Sequence, residues 1–346
     1  MEQAGAKLRY PFETPPLEGE AIEVAPGILW MRLPLPMALD HVNIYALDDG
    51  DGWTIIDTGF ASKRGQALWE NLIAGPLQGR PINRCVVTHH HPDHVGMAAW
   101  LLETQGASLW MTRTAYLWTR MLQLDVQDRP SAETLQFWTR AGIDADVLET
   151  RKNERPFNFA DCTKLLPLGY NRLQQGDEIT MGGRKWAVHI GHGHAAEHAT
   201  FWSLDDDLVI AGDQILPSIS PNLGVYATEP EADPVGDWLE SCARFKSMAR
   251  PEHFVLGGHK LPFLGLPLRM QQLIDNHHGA LARLEQFLDS PKSAGQCFQP
   301  LFKREIRGGE YGLAMVEAFA HCQHLWKTGR ASRVLSDEGA YLYQAI

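Results

Sequence analysis

Thr88-His89-His90-His91-Pro92-Asp93-His94-Val95-Gly96 contains the pattern His-x-His-x-Asp-His, which groups three imidazoles and one carboxylate on a short piece of chain. The apolar run before it, 85–88, predicts a buried strand, and the run after it, 97–102, predicts a helix that Gly106 ends. Loops between such elements commonly carry functional side chains. Because neutral imidazole and carboxylate are good ligands for a borderline divalent ion such as zinc, the stretch predicts a metal site.

The spacing of the four side chains favours two ions over one. His89 and His91 alternate and can converge on one ion, whereas Asp93 and His94, one step further around the turn, can face a second ion. The alternative is a solvated histidine-rich loop. It is disfavoured because the order of ligand types is specific and because further candidate ligands follow downstream.

One of these candidates lies in Gly191-His192-Gly193-His194, after a strand predicted at 185–190. We predict that His194 completes the first metal site, because Gly193 allows a close approach of the backbone and the chain then turns into another strand. His192 and His198 are predicted to form hydrogen bonds nearby and not to bind metal.

Two further apolar strands also end in candidate ligands. Residues 208–213 end in Asp213, a lone carboxylate that fits a ligand bridging two ions, although it could simply start the following turn. Residues 255–259 end in two glycines and His259, which supplies the last ligand of the second ion.

Asp57 ends a buried strand predicted at 53–57, and two interpretations of it have equal weight. It could orient a metal-bound histidine, or it could cap a helix predicted at 61–73. His253, His277 and His278 lack a comparable context, so we expect them to lie at the surface or to have ordinary hydrogen-bond partners.

Composition is typical of a globular chain: 346 residues, 44% hydrophobic and 21% charged. The net charge of −11 disfavours nucleic acid as a partner, because such a protein needs a basic face. We expect neither a signal peptide nor a membrane span, because the start of the chain has no long apolar run. Five dispersed cysteines argue against a disulfide framework and favour a cytoplasmic location. A homo-oligomer is compatible with the sequence.

The rest of the chain is predicted to form three additions to one large domain at 21–265. Residues 1–20 are a polar arm, and about 113–166 are an inserted pair of helices. Aromatic residues of this insertion, including Trp118 and Trp138, could wall a pocket, although ordinary helix packing is favoured for most of them. Residues 266–346 form a helical unit. Its last part combines an amphipathic helix at 311–328 with a terminal hairpin, which is similar to a small winged-helix unit. Such a unit could bind nucleic acid, but the helix carries Glu317 and few basic residues, so a structural cap is favoured.

The order of the candidate groups along 22–259 resembles the metallo-β-lactamase superfamily, in its glyoxalase II-like branch with two metal ions. These groups are Asp57; His89, His91, Asp93 and His94; His194; Asp213; and His259. The resemblance implies an α/β fold, a four-layer αββα sandwich with the ions at one edge of its sheets. It also implies a first ion held by His89, His91 and His194, a second held by Asp93, His94 and His259, and Asp213 as a bridge.

The resemblance and the chemistry of the ligands together predict a metal-dependent hydrolase. Two divalent ions lower the pKa of a water held between them, and the resulting hydroxide attacks a small ester, thioester or lactone. Zinc is the preferred metal, with iron or manganese as alternatives. The resemblance makes Asp93 a catalytic proton carrier. Class B β-lactamases usually lack the bridging aspartate, so Asp213 argues against antibiotic hydrolysis as the main activity.

Three other functions have some support in the sequence. The tail is similar to that of a branch containing β-lactamase-like protein 2, which cleaves RNA, so a metal-dependent endoribonuclease or phosphodiesterase is the first alternative. A single-iron sulfur dioxygenase is the second, because histidine and carboxylate also suit iron. A metal-binding protein without catalysis is disfavoured, because every ligand position is filled.

Overall fold

A computed structural model of the protein describes residues 7–306 and 308–346. Two β-sheets lie face to face within these residues, and helices cover the outer face of each sheet. The first sheet consists, in spatial order, of β1 (Ile22–Ala25), β2 (Ile28–Pro34), β3 (His41–Asp48), β4 (Trp53–Ile56), β5 (Ile82–Val86), β6 (Ser108–Thr112) and β7 (Asn171–Leu173). The second consists of β8 (Glu178–Met181), β9 (Arg184–Gly191), β10 (His198–Ser203), β11 (Leu208–Gly212), β12 (Phe254–Gly257) and β13 (Phe263–Leu264).

The α-helices are distributed along the whole chain. They are α1 (Lys63–Ala74), α2 (Pro92–Val95), α3 (Ala98–Gln105), α4 (Arg113–Leu124), α5 (Ala132–Ala141), α6 (Ala145–Asn153), α7 (Pro234–Met248), α8 (Leu266–Phe287), α9 (Phe298–Phe302) and α10 (Tyr311–Lys327). A terminal hairpin, β14 (Ala331–Leu335) and β15 (Tyr341–Ala345), follows α10. Gly106 ends α3 in the left-handed conformation, as predicted.

Neighbouring side chains of a strand point to opposite faces of its sheet, and their contacts show that the two sheets lie at the centre of four layers. In β2, Trp30 points between the sheets, where it shares a buried cluster with Phe201 of β10. Its neighbour Met31 points outward and packs with Trp69 of α1. On the other side, Trp238 of α7 belongs to the cluster that covers the outer face of the second sheet. The order of layers is therefore helices, sheet, sheet, helices, and the predicted four-layer αββα fold is confirmed.

Parallel pairing brings the predicted site loops to one edge of this sandwich. Strands β4 and β5 are parallel, as are β11 and β12, so their carboxyl ends lie side by side. Backbone hydrogen bonds then tie the loops together, because Thr58 N donates to His94 O at 2.8 Å and Gly258 N donates to Gly212 O at 2.8 Å. Ala199 N donates to the carbonyl oxygen of residue 88, also at 2.8 Å, which links the two sheets directly.

The insertion and the terminal helix differ from their predictions. The insertion contains three helices instead of two, because Gly142 adopts a left-handed conformation with φ 73° and Asp144 caps a new helix through the backbone N–H of residues 146 and 147. Helix α10 is not amphipathic: apart from Glu317, its residues 314–325 are all buried. It packs against α7, α8 and the hairpin, so it has no broad solvent face. The domain boundaries and the winged-helix interpretation stay predictions.

The described part of the N-terminal arm lies along the second sheet. Arg9 and Leu264 exchange two backbone hydrogen bonds, and Phe12 stacks on Phe254 with ring centroids 6.2 Å apart. Residues 1–6 of the predicted arm lie outside the described residues. The five cysteines are free and buried. No helix in the described ranges combines the length and the apolar character that a membrane crossing requires.

Candidate metal centre

The loops at the sheet edge bring all seven predicted ligands together. His89, His91 and His194 form one group: His91 Nδ1 lies 2.9 Å from His89 Nε2 and 3.0 Å from His194 Nε2. Asp93, His94 and His259 form another group with ligand atoms close enough to share an ion. This geometry matches the two sets that the sequence predicts.

Asp213 lies between the two groups. Its Oδ2 is 3.5 Å from His194 Nε2 in the first group, and it is 3.4 Å from His94 Nε2 and 3.1 Å from His259 Nε2 in the second. One carboxylate is thus within reach of any ions that the two groups hold.

The donor set and its unpaired atoms fit divalent cations. His94 Nε2 and Asp213 Oδ1 are buried, and neither has a hydrogen-bond partner among the described residues. Leaving such polar atoms unpaired in the interior is unfavourable, so an additional partner is expected at this place. Imidazole nitrogens and carboxylate oxygens at these separations suit zinc, iron or manganese.

Four of the histidines turn one ring nitrogen to the centre and the other to a protein group that fixes the ring. These contacts are His94 Nδ1 to Asp57 Oδ2 at 2.7 Å, His259 Nδ1 to His41 O at 2.7 Å, His194 Nδ1 to Asn222 O at 2.9 Å, and His89 Nδ1 to Thr88 Oγ1 at 2.9 Å. Such partners fix the tautomer and the direction of a metal ligand. Only Asp57 was predicted; the other three are a hydroxyl and two backbone carbonyls, which have no pattern in the sequence.

Asp57 orients a histidine and does not cap a helix. Besides His94, it accepts hydrogen bonds from Thr88 N at 2.8 Å and Thr88 Oγ1 at 2.9 Å. Ser62 is the N-cap of α1, because its hydroxyl accepts from Gly65 N. The capping interpretation of Asp57 is therefore wrong. Asp57 has φ 61°, a left-handed conformation that aspartate tolerates better than most residues.

The protein's own electrostatics favour neutral imidazole, the form that binds metal, at His89 and His91 of the first group. Burial, followed by the neighbouring imidazoles, holds the pKa of His89 and of His91 well below the ordinary value, so both are neutral. In the second group burial opposes protonation, but the carboxylates of Asp213 and Asp93 raise the pKa of His259 to about 9. A proton there balances the carboxylates, and a bound cation would displace it.

The hydrogen bonds predicted for His192 and His198 are present. His198 accepts a hydrogen bond from Asp213 N at 3.1 Å through Nε2, and its ring stacks on His89 at 4.5 Å. His192 accepts from Glu197 N at 3.4 Å. Three histidines outside these loops were predicted not to bind metal. His253 accepts a hydrogen bond from Arg250 N, and His278 is exposed. His277 is buried, with its Nδ1 3.3 Å from His321 Nε2.

The insertion reaches the motif through His90. The ring of His90 lies 5.3 Å from that of Trp118 on α4 and 6.3 Å from that of Phe159, with which it is stacked. Trp138 lies elsewhere, against the core of the C-terminal helices and beneath the Arg151 guanidinium. One of the two tryptophans is thus beside the centre, and the other stabilises the packing.

Comparison with known proteins agrees with the fold and with the family resemblance. The family described as "Metallo-beta-lactamase superfamily" matches residues 37–259. The chain belongs to this superfamily. A second family, described as "Metallo-beta-lactamase-like, C-terminal domain", matches residues 281–346.

Individual relatives of this superfamily member cover almost its whole length. A β-lactamase domain protein from Burkholderia ambifaria, known from a crystal structure, is 36% identical, with a TM-score of 0.89 and 98% of each chain covered. The probable metallo-hydrolase YqjP from Bacillus subtilis is 26% identical over 299 residues, which are 85% of this chain and 90% of that protein. The metallo-β-lactamase family protein TTHA1429 from Thermus thermophilus, 24% identical with a TM-score of 0.78 over 93% of this chain and 100% of that one, shares the fold. The superfamily and the name of the Bacillus protein agree with the predicted metal-dependent hydrolase.

Proposed function

We propose that the protein is a metal-dependent hydrolase with two metal ions that acts on a small ester, thioester or lactone. The observation that carries this proposal is the position of Asp213, whose Oδ2 lies 3.1–3.5 Å from ligand nitrogens of both groups. A site for one ion would not need a carboxylate between two complete sets of ligands.

Each group supplies three protein ligands to its ion. His89, His91 and His194 would hold the first ion, Asp93, His94 and His259 the second, and Asp213 both. When bound, two such cations lower the pKa of a water between them and stabilise the negative charge that develops on the substrate. Zinc is the metal we expect from the balance of imidazole and carboxylate ligands, with iron and manganese as alternatives.

Asp93 is positioned to carry a proton to the leaving group. Its side chain keeps 17% of its surface exposed, against 8% for Asp213 and 2% for His259, so it is the most accessible of these three ligands. Its Oδ2 faces His259 at 3.4 Å, which leaves Oδ1 for the substrate. Of the other candidate ligands, His89, His94, Asp213 and His259 are buried, and we expect them only to bind the ions.

The charge of the chain favours an acyl substrate over a nucleic acid. A nucleic acid needs a basic track for its phosphates, and this chain has 31 Lys and Arg against 42 Asp and Glu. A small acyl compound needs only the ions and an apolar wall, and Trp118 and Phe159 offer such a wall beside His90.

The test is a substrate panel given to the metal-loaded protein: p-nitrophenyl esters, thioesters, lactones, a bis-phosphodiester and short single-stranded RNA. We expect metal-dependent hydrolysis of an acyl compound that His89→Ala abolishes and His278→Ala, an exposed histidine, leaves unchanged. RNA cleavage much faster than any acyl hydrolysis, and lost in His89→Ala, would overturn the proposal.

A further inference from the structure

Helix α4 has an apolar side that the described residues leave open to solvent. Leu117, Met121 and Leu124 follow one another at intervals of four and three residues, so they lie on one side of the helix. They are 53%, 43% and 62% exposed, whereas Ala115 and Thr119 on the opposite side are buried. A row of large apolar side chains that remains exposed indicates a surface for binding.

The apolar surface continues onto residues 164–168. Tyr116 Oη donates to Leu168 O at 2.8 Å, and Gln123 Nε2 donates to Lys164 O at 2.6 Å, so this segment runs along the side of α4. Leu165 and Leu168 in it are 51% and 86% exposed. Five side chains thus form one surface, which we call the α4 face: Leu117, Met121, Leu124, Leu165 and Leu168.

The two ends of the α4 face carry opposite charges. Arg113 lies on the same side of the helix at its first residue, is exposed, and forms neither an ion pair nor a hydrogen bond among the described residues. At the other end, Asp125 has no cationic partner in the described part of the chain, and Asp128 is 98% exposed with Arg155 4.0 Å away. Arg120, the other charged residue of α4, turns to the carbonyl oxygen of residue 166.

This distribution makes the α4 face complementary to itself when two copies meet in opposite directions. A two-fold axis midway between residues 120 and 121 brings Leu117 of one copy against Leu124 of the other and places Met121 beside the axis. The same axis brings Arg113 to the end of the other helix that carries Asp128. A parallel pair would instead put like charges side by side, which is unfavourable.

We propose that the α4 face is the interface of a homodimer in which the two α4 helices pack antiparallel. From their exposed fractions, its five apolar side chains leave on the order of 500 Å² open per copy, so a pair would bury about 1,000 Å². That area is at the lower limit for a specific interface, and the charged ends add to it. We therefore expect a dimer whose population depends on protein concentration.

The first test is sedimentation equilibrium of the full-length protein at about 1 to 100 µM. We expect a monomer–dimer equilibrium. Met121→Glu brings two carboxylates together at the axis and should raise the dimer Kd at least about 100-fold. Leu204→Glu, at a leucine that is 52% exposed in the turn between β10 and β11, should leave Kd unchanged. A monomer at the highest concentration, or a dimer that Met121→Glu does not weaken, would overturn the proposal.

The second test addresses the antiparallel orientation. A short bismaleimide should cross-link a mixture of Leu117→Cys and Leu124→Cys proteins much faster than either variant alone, and the five native cysteines are buried, which keeps the background low. Arg113→Glu should raise Kd about three- to tenfold, and less at high salt. If Leu117→Cys alone reacts as fast as the mixture, or Arg113→Glu leaves Kd unchanged, the antiparallel dimer is wrong.

Discussion

Replacement of Asp57 tests how the protein prepares its metal ligands. Asp57 is 2% exposed and accepts three hydrogen bonds, two from Thr88 and one from His94. Removing one partner of such a buried charged network costs about 3–5 kcal/mol. Asp57→Ala also places alanine at φ 61°, which adds on the order of 1 kcal/mol. We therefore expect Asp57→Ala to lower the free energy of unfolding of the metal-depleted protein by about 4–6 kcal/mol, which combines these two contributions.

Asp57→Asn gives the more informative comparison. The amide keeps the size of the side chain and one acceptor, but it offers a donor where both oxygens of Asp57 now accept. We expect a loss of about 1–3 kcal/mol. Metal affinity at the group that contains His94 should fall about 10- to 100-fold, because the ring loses the partner that directs it. Urea unfolding followed by tryptophan fluorescence measures the first effect, and titration against a competing chelator measures the second.

The control for both variants is Asp51→Asn, an exposed aspartate in the β3–β4 hairpin, which should behave as the wild type. If Asp57→Asn unfolds at the wild-type urea concentration and binds metal with wild-type affinity, the orienting contact to His94 has no energetic importance and the reasoning is refuted.

Three further predictions concern the bridge, the choice among histidines and the half-buried Glu317. Asp213→Ala should lose tight binding of both ions in elemental analysis, because one carboxylate serves both groups; loss of a single ion would contradict this. His194→Ala should lose the first ion and His198→Ala should keep both, since His198 only accepts from a backbone N–H; equal losses would reverse the assignment. The pKa of Glu317 is raised from 4.5 to about 7 in the folded protein, so the unfolded chain loses this proton at lower pH than the folded protein does. The free energy of unfolding should therefore fall as the pH rises from about 4.5 to 7. The Glu317→Gln variant should not show that fall. Its free energy of unfolding, measured in urea, should exceed that of the wild type by up to about 3 kcal/mol at pH 8 and should equal it at pH 4.

The place where the candidate ligands meet could be predicted from the sequence because the loops that carry them follow strands. A run of apolar residues that ends in histidine or aspartate fixes both the element and the position of the side chain, as at His89 and Asp213. The four-layer arrangement comes from the resemblance to the superfamily, because apolar runs indicate buried strands but not how two sheets stack. The choice of His194 over His198 as a ligand, although the two lie only four residues apart, stays a prediction.

The parts that could not be predicted depend on contacts between distant segments. Asn222 directs His194 through a backbone carbonyl, which every residue has, so no residue type marks its position. Glu317 meets Asn222 because α10 packs against the loop that carries this asparagine. Glu317 and its neighbours predict an amphipathic α10, but this glutamate is half-buried and accepts from Asn222 Nδ2 at 2.7 Å.

The number of metal ions per chain tests the central claim most directly. Crystals grown from zinc-loaded protein, with anomalous diffraction recorded on both sides of the zinc edge, would count the ions and locate them. We expect two ions about 3.5–4 Å apart, with Asp213 in contact with both. A single ion under metal-replete conditions, with Asp93 and His259 unbound, would contradict the account.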